Sequence, residues 1–412
     1  MLLIYNLLVE LAIALLRIIS PLSSKIKFLI VGHRKTLKKL INFNINLYDK
    51  RLWFHCASLG EFEQCKPLIQ KIKSKHPESK IIISFFSPSG YEISKNYKFA
   101  DLVCYLPFDT LKNVKFFLNK VKPTIVFFIK YEFWPNYINQ ITKNKIPIFS
   151  LCTRLYADQF IFKPYSNWLL KIIREINHFF VQDISSQKLL NKNKFKNVTL
   201  VGDIRMDRVI ENIESINVFP KIEKFIDSKK CFIAGSTWSE DYEVILSKIK
   251  RLNNVKVIIA PHKIDLKSIN LLTSRLNNSY TLYSSLKTTE EFKKDVLIIN
   301  SIGILSKIYK YANLSYVGGG MGKDGLHNIL EPAIHGSPII IGKNYSKFSE
   351  AKDLISLGGI TSIKNNNEFE KVFEKIISDN ELSKKIGKIN KEYIFNNKGA
   401  TNKIYSKLID YL

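Results

Sequence analysis

With 412 residues, the chain is longer than one ordinary hydrophobic core organises, so two domains are expected. Its 46% hydrophobic and 24% charged content excludes a disordered chain and fits a globular protein with some membrane contact. The formal charge of +27 calls for acidic partners, whether nucleic acid, an anionic membrane surface or a phosphorylated substrate, although Lys, Ile and Asn are used so heavily throughout that part of the excess is compositional.

Residues 2–19 are apolar except for Asn6, Glu10 and Arg17, which share one stripe at helical spacing, and Pro21 ends the run. The length suffices to span a bilayer, and a helix lying in the interface or a buried core helix fits it too. No positive leading segment or small-residue cleavage pattern marks a signal peptide. Residues 1–59 carry nine Lys or Arg against Glu10 and Asp49, which beside an apolar helix favours the cytoplasmic leaflet. Residues 1–40 are therefore read as a membrane-anchor helix with a basic segment.

Short apolar runs then alternate with amphipathic ones. Leu52–Cys56, Ile81–Phe86, Ile125–Ile129, Ile148–Leu151 and Phe179–Val181 read as buried parallel strands, with helical stretches such as Gln64–Lys75 between them. The alternation resumes with Cys231–Ala234, Val257–Ala260, Val296–Ile299, Leu314–Val317 and Ile339–Ile341. This predicts an α/β chain with Rossmann-like domains at 41–205 and 229–396, a charged linker at 206–228, and ligands outside the carboxyl ends of the strands in a cleft that the two domains face. The five cysteines include no C-x-x-C pair and read as reduced thiols, and the seven histidines show no H-E-x-x-H spacing, so no metal is expected.

Several loops at those strand ends could carry chemistry. Glu61 follows the strand Leu52–Cys56 at the start of a helix, where it could accept a proton as a general base; Ser58-x-x-Glu61 is equally a capping box. Ser87-Pro88-Ser89-Gly90 could hold a phosphate or cap a helix, and Lys130-Tyr131-Glu132-Phe133-Trp134-Pro135 leaves another strand. Arg205 could reach a phosphate or pair with Asp203 or Asp207. In the second half, Ser236 and Thr237 suit a phosphate or a helix cap, while Pro261-His262 and Ser301-Ile302-Gly303-Ile304 end further strands. The stretch Val317–Pro332 turns on glycines into a helix start, with Asn328 and Glu331 on one face where a ribose diol could use both. No G-x-x-x-x-G-K-[ST] occurs, and Gly318–Gly322 comes too late for a first-strand dinucleotide fingerprint.

Taken together, Ala57-Ser58-Leu59-Gly60-Glu61, Ser87-Pro88-Ser89-Gly90, Leu106-Pro107-Phe108-Asp109, Glu132-Phe133-Trp134-Pro135, Thr153-Arg154-Leu155 and Gly325-Leu326-His327-Asn328-Ile329-Leu330-Glu331-Pro332 occur in the order seen in Kdo transferases. The chain resembles that family of 3-deoxy-D-manno-octulosonic acid transferases over nearly its whole length. The resemblance implies a GT-B glycosyltransferase with two Rossmann-like domains facing a cleft, an N-terminal membrane helix, and a last helix at 397–412 that returns to the first domain. It further implies inverting, metal-independent transfer of Kdo from CMP-Kdo to a phosphorylated lipid A precursor, with no cofactor, at the cytoplasmic face of the inner membrane among anionic lipids. Glu61 matches the general base and Arg205 a charge-steadying cation. Pro261 and His262, Ile302, Gly303 and Ile304, and Asn328, Ile329, Leu330 and Glu331 match segments that hold CMP, with Ser236 and Thr237 counted beside them. Three positions depart from the usual pattern: Lys130 stands where many members carry a carboxylate that assists the transition state and is kept in the catalytic set, His262 replaces an Arg, and Ile304 replaces an acid. The alternatives are another GT-B enzyme using a UDP-sugar, transferase or epimerase, and a basic nucleic-acid-binding protein, for which no aromatic-interleaved basic run is present.

Overall fold

The computed structural model describes residues 1–43, 49–214, 218–252, 254–276, 279–323 and 325–412. It divides into two compact units, Met1–Arg208 together with Lys398–Leu412, and Val209–Asn397.

The first unit is built on seven parallel strands: β1 (Arg51–Cys56), β2 (Lys80–Phe85), β3 (Leu102–Tyr105), β4 (Ile125–Ile129), β5 (Ile148–Thr153), β6 (His178–Val181) and β7 (Val198–Leu200), in the spatial order β3-β2-β1-β4-β5-β6-β7. Every residue of β1 is buried because both faces are covered. Leu52, Phe54 and Cys56 pack with Phe62, Cys65 and Leu68 on one side, while Trp53 packs with Phe117, Phe128 and Tyr137 on the other. Ala400, Ile404 and Leu408 of the last helix, Ala400–Leu408, complete the first of these clusters. Asp207 fastens that helix, accepting from Gly399 N at 2.6 Å and Thr401 N at 2.7 Å.

Two helices precede the sheet. The first, α1 (Leu2–Ile19), belongs to a 21-residue apolar stretch of mean hydropathy 2.2 that is long and apolar enough to cross a membrane, and only 6% of it is buried. Its polar residues are its attachment: Tyr5 Oη donates to Asp109 Oδ2 at 2.8 Å, and Asn6 Oδ1 accepts from Asn136 Nδ2 at 2.8 Å. Leu3, Leu7, Leu8, Leu11, Leu15 and Ile18 stay exposed. The basic segment forms a second helix, α2 (Ser24–Ile41), which covers the edge strand β3. Thr36 Oγ1 accepts from Tyr105 N at 2.9 Å and Lys39 Nζ donates to Val103 O at 2.8 Å, so side chains meet backbone groups that no neighbouring strand could. A Cβ at Gly32 would lie 2.5 Å from the Tyr105 ring, so the approach needs glycine there.

The second unit repeats the architecture with β8 (Lys230–Thr237), β9 (Val255–Pro261), β10 (Tyr280–Leu282), β11 (Val296–Ile298), β12 (Leu314–Val317), β13 (Ile339–Gly342) and β14 (Ile360–Ile363), ordered β10-β11-β9-β8-β12-β13-β14 and all parallel. The boundary between the units falls within the stretch expected as a linker, which holds the helices Arg205–Glu214 and Pro220–Ile226; its residues 215–217 lie outside the described residues. Met206, Val209 and Ile210 recur at helical spacing and Ile222 and Phe225 are fully buried, an amphipathic pattern that the surrounding charges masked.

Candidate active site

In an open parallel sheet the connections from the two strands at the point where the strand order reverses diverge, leaving a crevice at their carboxyl ends. In the first unit that point lies between β1 and β4, and the loops leaving these strands carry Glu61 and Lys130–Trp134. Glu61 sits in the first turn of α3 (Leu59–Lys75), whose N-cap Ser58 accepts from Glu61 N at 3.4 Å. Its Oε2 accepts from Ala57 N at 2.6 Å, whereas Oε1 has no hydrogen bond among the described residues. The residue is 6% exposed. Burial pushes its carboxyl up to about 7, the Glu132 carboxylate adds to the rise, and the Ala57 amide and the Lys130 ammonium oppose it. Half of the capping box is thus present, and the same side chain is a carboxyl poised near neutrality.

Around Glu61 lies a polar group that the alternation of apolar residues does not announce. Trp134 Nε1 donates to Glu132 Oε2 at 3.1 Å and to His55 Nε2 at 3.2 Å, which makes Nε2 the acceptor and leaves the His55 proton on Nδ1, facing Ser84 Oγ at 2.9 Å. His55 is fully buried and was missed; its one signal is a lone imidazole in the apolar run Leu52–Cys56. Lys130 has φ +63°, left-handed backbone for a non-glycine residue, and its carbonyl accepts from Ser150 Oγ at 3.2 Å. Arg205 takes the pairing alternative: its Nε and Nη2 reach Asp203 Oδ2 at 2.8 and 2.6 Å. Burial would raise the Asp203 carboxyl, but the Arg205 guanidinium outweighs it and holds the group below the usual range.

Next to this group is a cavity of about 500 Å³, lined by Ile4, Tyr5 and Leu8 of α1 and by Glu132, Trp134 and Trp168. It joins the exposed apolar helix to the carboxylate beside Glu61. Asp109 closes the frame around it: besides Tyr5 it accepts from Asn136 N and Tyr137 N, both at 3.1 Å, and burial pushes its carboxyl up to about 6 against these bonds.

In the second unit the strand order reverses between β8 and β12, where Ser236-Thr237-Trp238 and the glycine stretch from Gly318 leave the sheet. Asp241 ties the two loops together, accepting from Trp238 N at 2.8 Å, Gly319 N at 2.9 Å and Tyr316 Oη at 2.7 Å. The loops pass so closely that a Cβ at Gly318 would lie 2.4 Å from Ser236 O and 2.7 Å from Asp241 Oδ2. Gly318→Ala is expected to destabilise this unit by about 2–3 kcal/mol, seen as a lowered thermal midpoint. Pro261 ends β9, and His262, exposed, stacks on Trp238 at 4.6 Å and on His327 at 4.3 Å; Trp238 Nε1 donates to His327 Nε2 at 2.8 Å. Ile302 is 87% exposed beside Gly303, whose φ is +89°, and Ile304 is half-buried. Ser236 is half-buried with φ +53°, and Thr237 is buried.

The helix expected from Asn328 is shorter, Leu330–Ile334, with Ile329 at its N-cap; Asn328 precedes it, where Oδ1 accepts from Leu330 N at 3.2 Å and Nδ2 donates to Glu331 Oε1 at 3.1 Å. Ile329 and Leu330 are buried, so only their backbone is available to a ligand. Asp324, inside the glycine stretch, lies outside the described residues. Among the described residues no group of three or more His, Cys, Asp or Glu could hold a metal ion.

Comparison with known proteins agrees with this reading of the fold. The family model described as 3-deoxy-D-manno-octulosonic-acid transferase (kdotransferase) matches residues 30–208. A bifunctional glycosyltransferase/methyltransferase of Fusobacterium nucleatum is 29% identical over 350 residues, 82% of this chain and 54% of that protein, so the chain spans about half of its length. A 3-deoxy-D-manno-octulosonic acid transferase of Haemophilus influenzae is 26% identical over 380 residues, 88% of this chain and 87% of that one. Among solved structures, a UDP-GlcNAc 2-epimerase from Neisseria meningitidis superposes with a TM-score of 0.63 at 15% identity, covering 87% of this chain and 100% of that one. Two Rossmann-like units with these structural neighbours define the GT-B fold. Within the relatives that share this fold, the chain is similar to Kdo transferases along most of its length, and the family model covers less than half of it.

Proposed function

We propose that the chain transfers Kdo from CMP-Kdo to a phosphorylated, acylated lipid A precursor at the cytoplasmic face of the inner membrane, with inversion and without a metal or other cofactor. The observation that carries the reading is the Glu61 carboxyl, pushed up to about 7 at the strand-order reversal of the first unit, with one oxygen fixed by Ala57 N and the other without a hydrogen bond among the described residues. A base of that strength is half ionised near neutrality and takes a proton from a sugar hydroxyl as the bond forms. In the step proposed, Glu61 accepts the acceptor's hydroxyl proton while that oxygen bonds the anomeric carbon; the bond from that carbon to the CMP phosphate breaks on the opposite face, and CMP leaves with the electron pair. The Lys130 cation and Arg205, held rigid by Asp203, supply fixed positive charge for anionic groups. In the second unit the backbone around Ser236, Thr237 and Gly303, with the His262 stack and Glu331, would hold the nucleotide.

The apolar cavity between α1 and Trp134 suits an acyl-bearing acceptor, since it leads from lipid-compatible surface to Glu132. The docking of α1 supports a helix lying in the membrane surface. Tyr5 and Asn6 near one end are bonded to the first unit, and Arg17 near the other lines a cavity with Pro107 and Phe108 of the same unit, so the helix runs along the unit and not away from it.

The test is an assay of purified protein with CMP-Kdo and a lipid A precursor, beside thermal unfolding with free nucleotides. Transfer of Kdo, and a midpoint raised by CMP and not by UDP, are expected. Protection by UDP alone, with no Kdo transfer, would replace this reading with a UDP-sugar enzyme.

A further inference from the structure

A second cavity, of about 550 Å³, lies towards the other end of α1 from the apolar one, and Arg17, His33, Arg34, Phe108 and Asn113 are among its lining residues. His33 is 5% exposed, and neither of its ring nitrogens has a hydrogen-bond partner among the described residues. Its ring lies flat on Phe108, with centroids 4.0 Å apart and planes 5° from parallel. A buried imidazole with both nitrogens unmatched is destabilising, and a phenyl ring would make the same stack without that cost. Packing therefore gives no reason for a histidine here. Arg17 and Arg34 form no ion pair among the described residues, so two guanidinium groups border the cavity with no acid to neutralise them. Leu15 and Ile18 of α1, Leu22 of the turn that follows it and Phe28 of α2 are exposed and apolar.

We infer that this cavity is a binding site for the phosphomonoester headgroup of a membrane lipid, with Arg17 and Arg34 gripping the phosphate oxygens and His33 completing the shell. Two arginines and an imidazole match a doubly charged phosphomonoester better than a singly charged phosphodiester. The exposed apolar residues on the helices that contribute Arg17 and Arg34 argue that the phosphate arrives on a lipid and not free in solution. Burial lowers the His33 imidazole to about 4 and so favours its neutral form, and an anion alongside would favour its protonated, donating form. The inference builds on the membrane-surface part of the proposed function and is independent of the sugar donor.

The test uses the full chain and sedimentation with phosphatidylcholine vesicles containing equal mole fractions of either phosphatidic acid or phosphatidylglycerol. The wild type is expected to bind the phosphatidic acid vesicles about tenfold more tightly, the equivalent of one charge-assisted hydrogen bond. Arg17→Gln with Arg34→Gln should abolish that preference, whereas Lys35→Gln with Lys38→Gln, the same loss of charge on the same helical hairpin, should weaken both kinds of binding equally and leave the preference intact. His33→Phe should keep or raise the thermal midpoint and yet lose the preference, a combination that a purely structural histidine would not give. Equal binding of the two vesicles by the wild type, or a preference that survives in His33→Phe and the double arginine variant, would overturn the site. A midpoint raised by inorganic phosphate as far as by phosphatidic acid vesicles would overturn the lipid source. None of these readings uses CMP-Kdo, so failure here leaves the transferase reading standing, and loss of transferase activity does not touch the vesicle result.

Discussion

Glu61→Gln is expected to cut Kdo transfer by at least about 100-fold while making the protein more stable above pH 7. The two effects share a cause. Burial lifts the Glu61 carboxyl from 4.5 to about 7, so the folded protein favours the neutral form. For a carboxyl whose folded value is raised, stability is greatest below the unfolded value and is lost as pH climbs from about 4.5 through 7. Above that window the ionised group costs up to about 3 kcal/mol, which a neutral glutamine avoids while its oxygen still accepts from Ala57 N. Thermal midpoints of wild type and variant should coincide near pH 4 and separate by several degrees at pH 8. Wild-type turnover should rise with pH through an apparent value near 7, and the variant's residual rate should lose that step. Near-normal turnover in a well-folded variant would leave Glu61 as a helix cap and nothing more.

Asp109→Ala carries the second large effect. The buried carboxylate holds two backbone amides at the start of the helix Pro135–Lys143 and the Tyr5 hydroxyl of α1. Removing it strands the amides in the core, at a cost of about 2–4 kcal/mol, and lets the front of α1 swing free. A midpoint lower by roughly 5–12 °C and faster proteolysis within residues 1–22 are expected. Tyr5→Phe separates the two consequences. It leaves the amides paired, so stability should fall by only about 1 kcal/mol while the cleavage still quickens. Unchanged proteolysis in both variants would mean that packing against α2 alone keeps α1 in place.

The strands that sequence periodicity found and those it missed divide along a physical line. All ten runs read as strands lie inside the two sheets, where burial on both faces produces unbroken apolar stretches such as Ile125–Ile129. The four that went unread, β3, β7, β10 and β14, are the four edge strands. Val198–Leu200 and Ile360–Ile363 are short, carry Thr or Ser, and are only partly buried, so they look like loop. The local placement of Glu61 and Arg205 was legible because each stands at the start of a helix that follows a strand. Whether Arg205 would find a substrate or Asp203 was not legible, since both partners lie within reach of the same short segment. His55 and His33 hid for a different reason: each is a polar residue whose meaning depends on what packs against it from far along the chain, Ser84 and Trp134 for one, Phe108 for the other. The helix Arg205–Glu214 was lost because its charges outweighed a modest apolar stripe.

The clasp between Asp207 and the helix Ala400–Leu408 also fixes an order of events during synthesis. The first seven strands leave the ribosome early, yet part of one flank of their sheet, the part not packed by α3, stays uncovered until the whole second unit has been translated. During that interval the nascent chain displays two greasy surfaces at once, this flank and α1, and early capture of α1 by the bilayer would leave a single sticky face to be shielded.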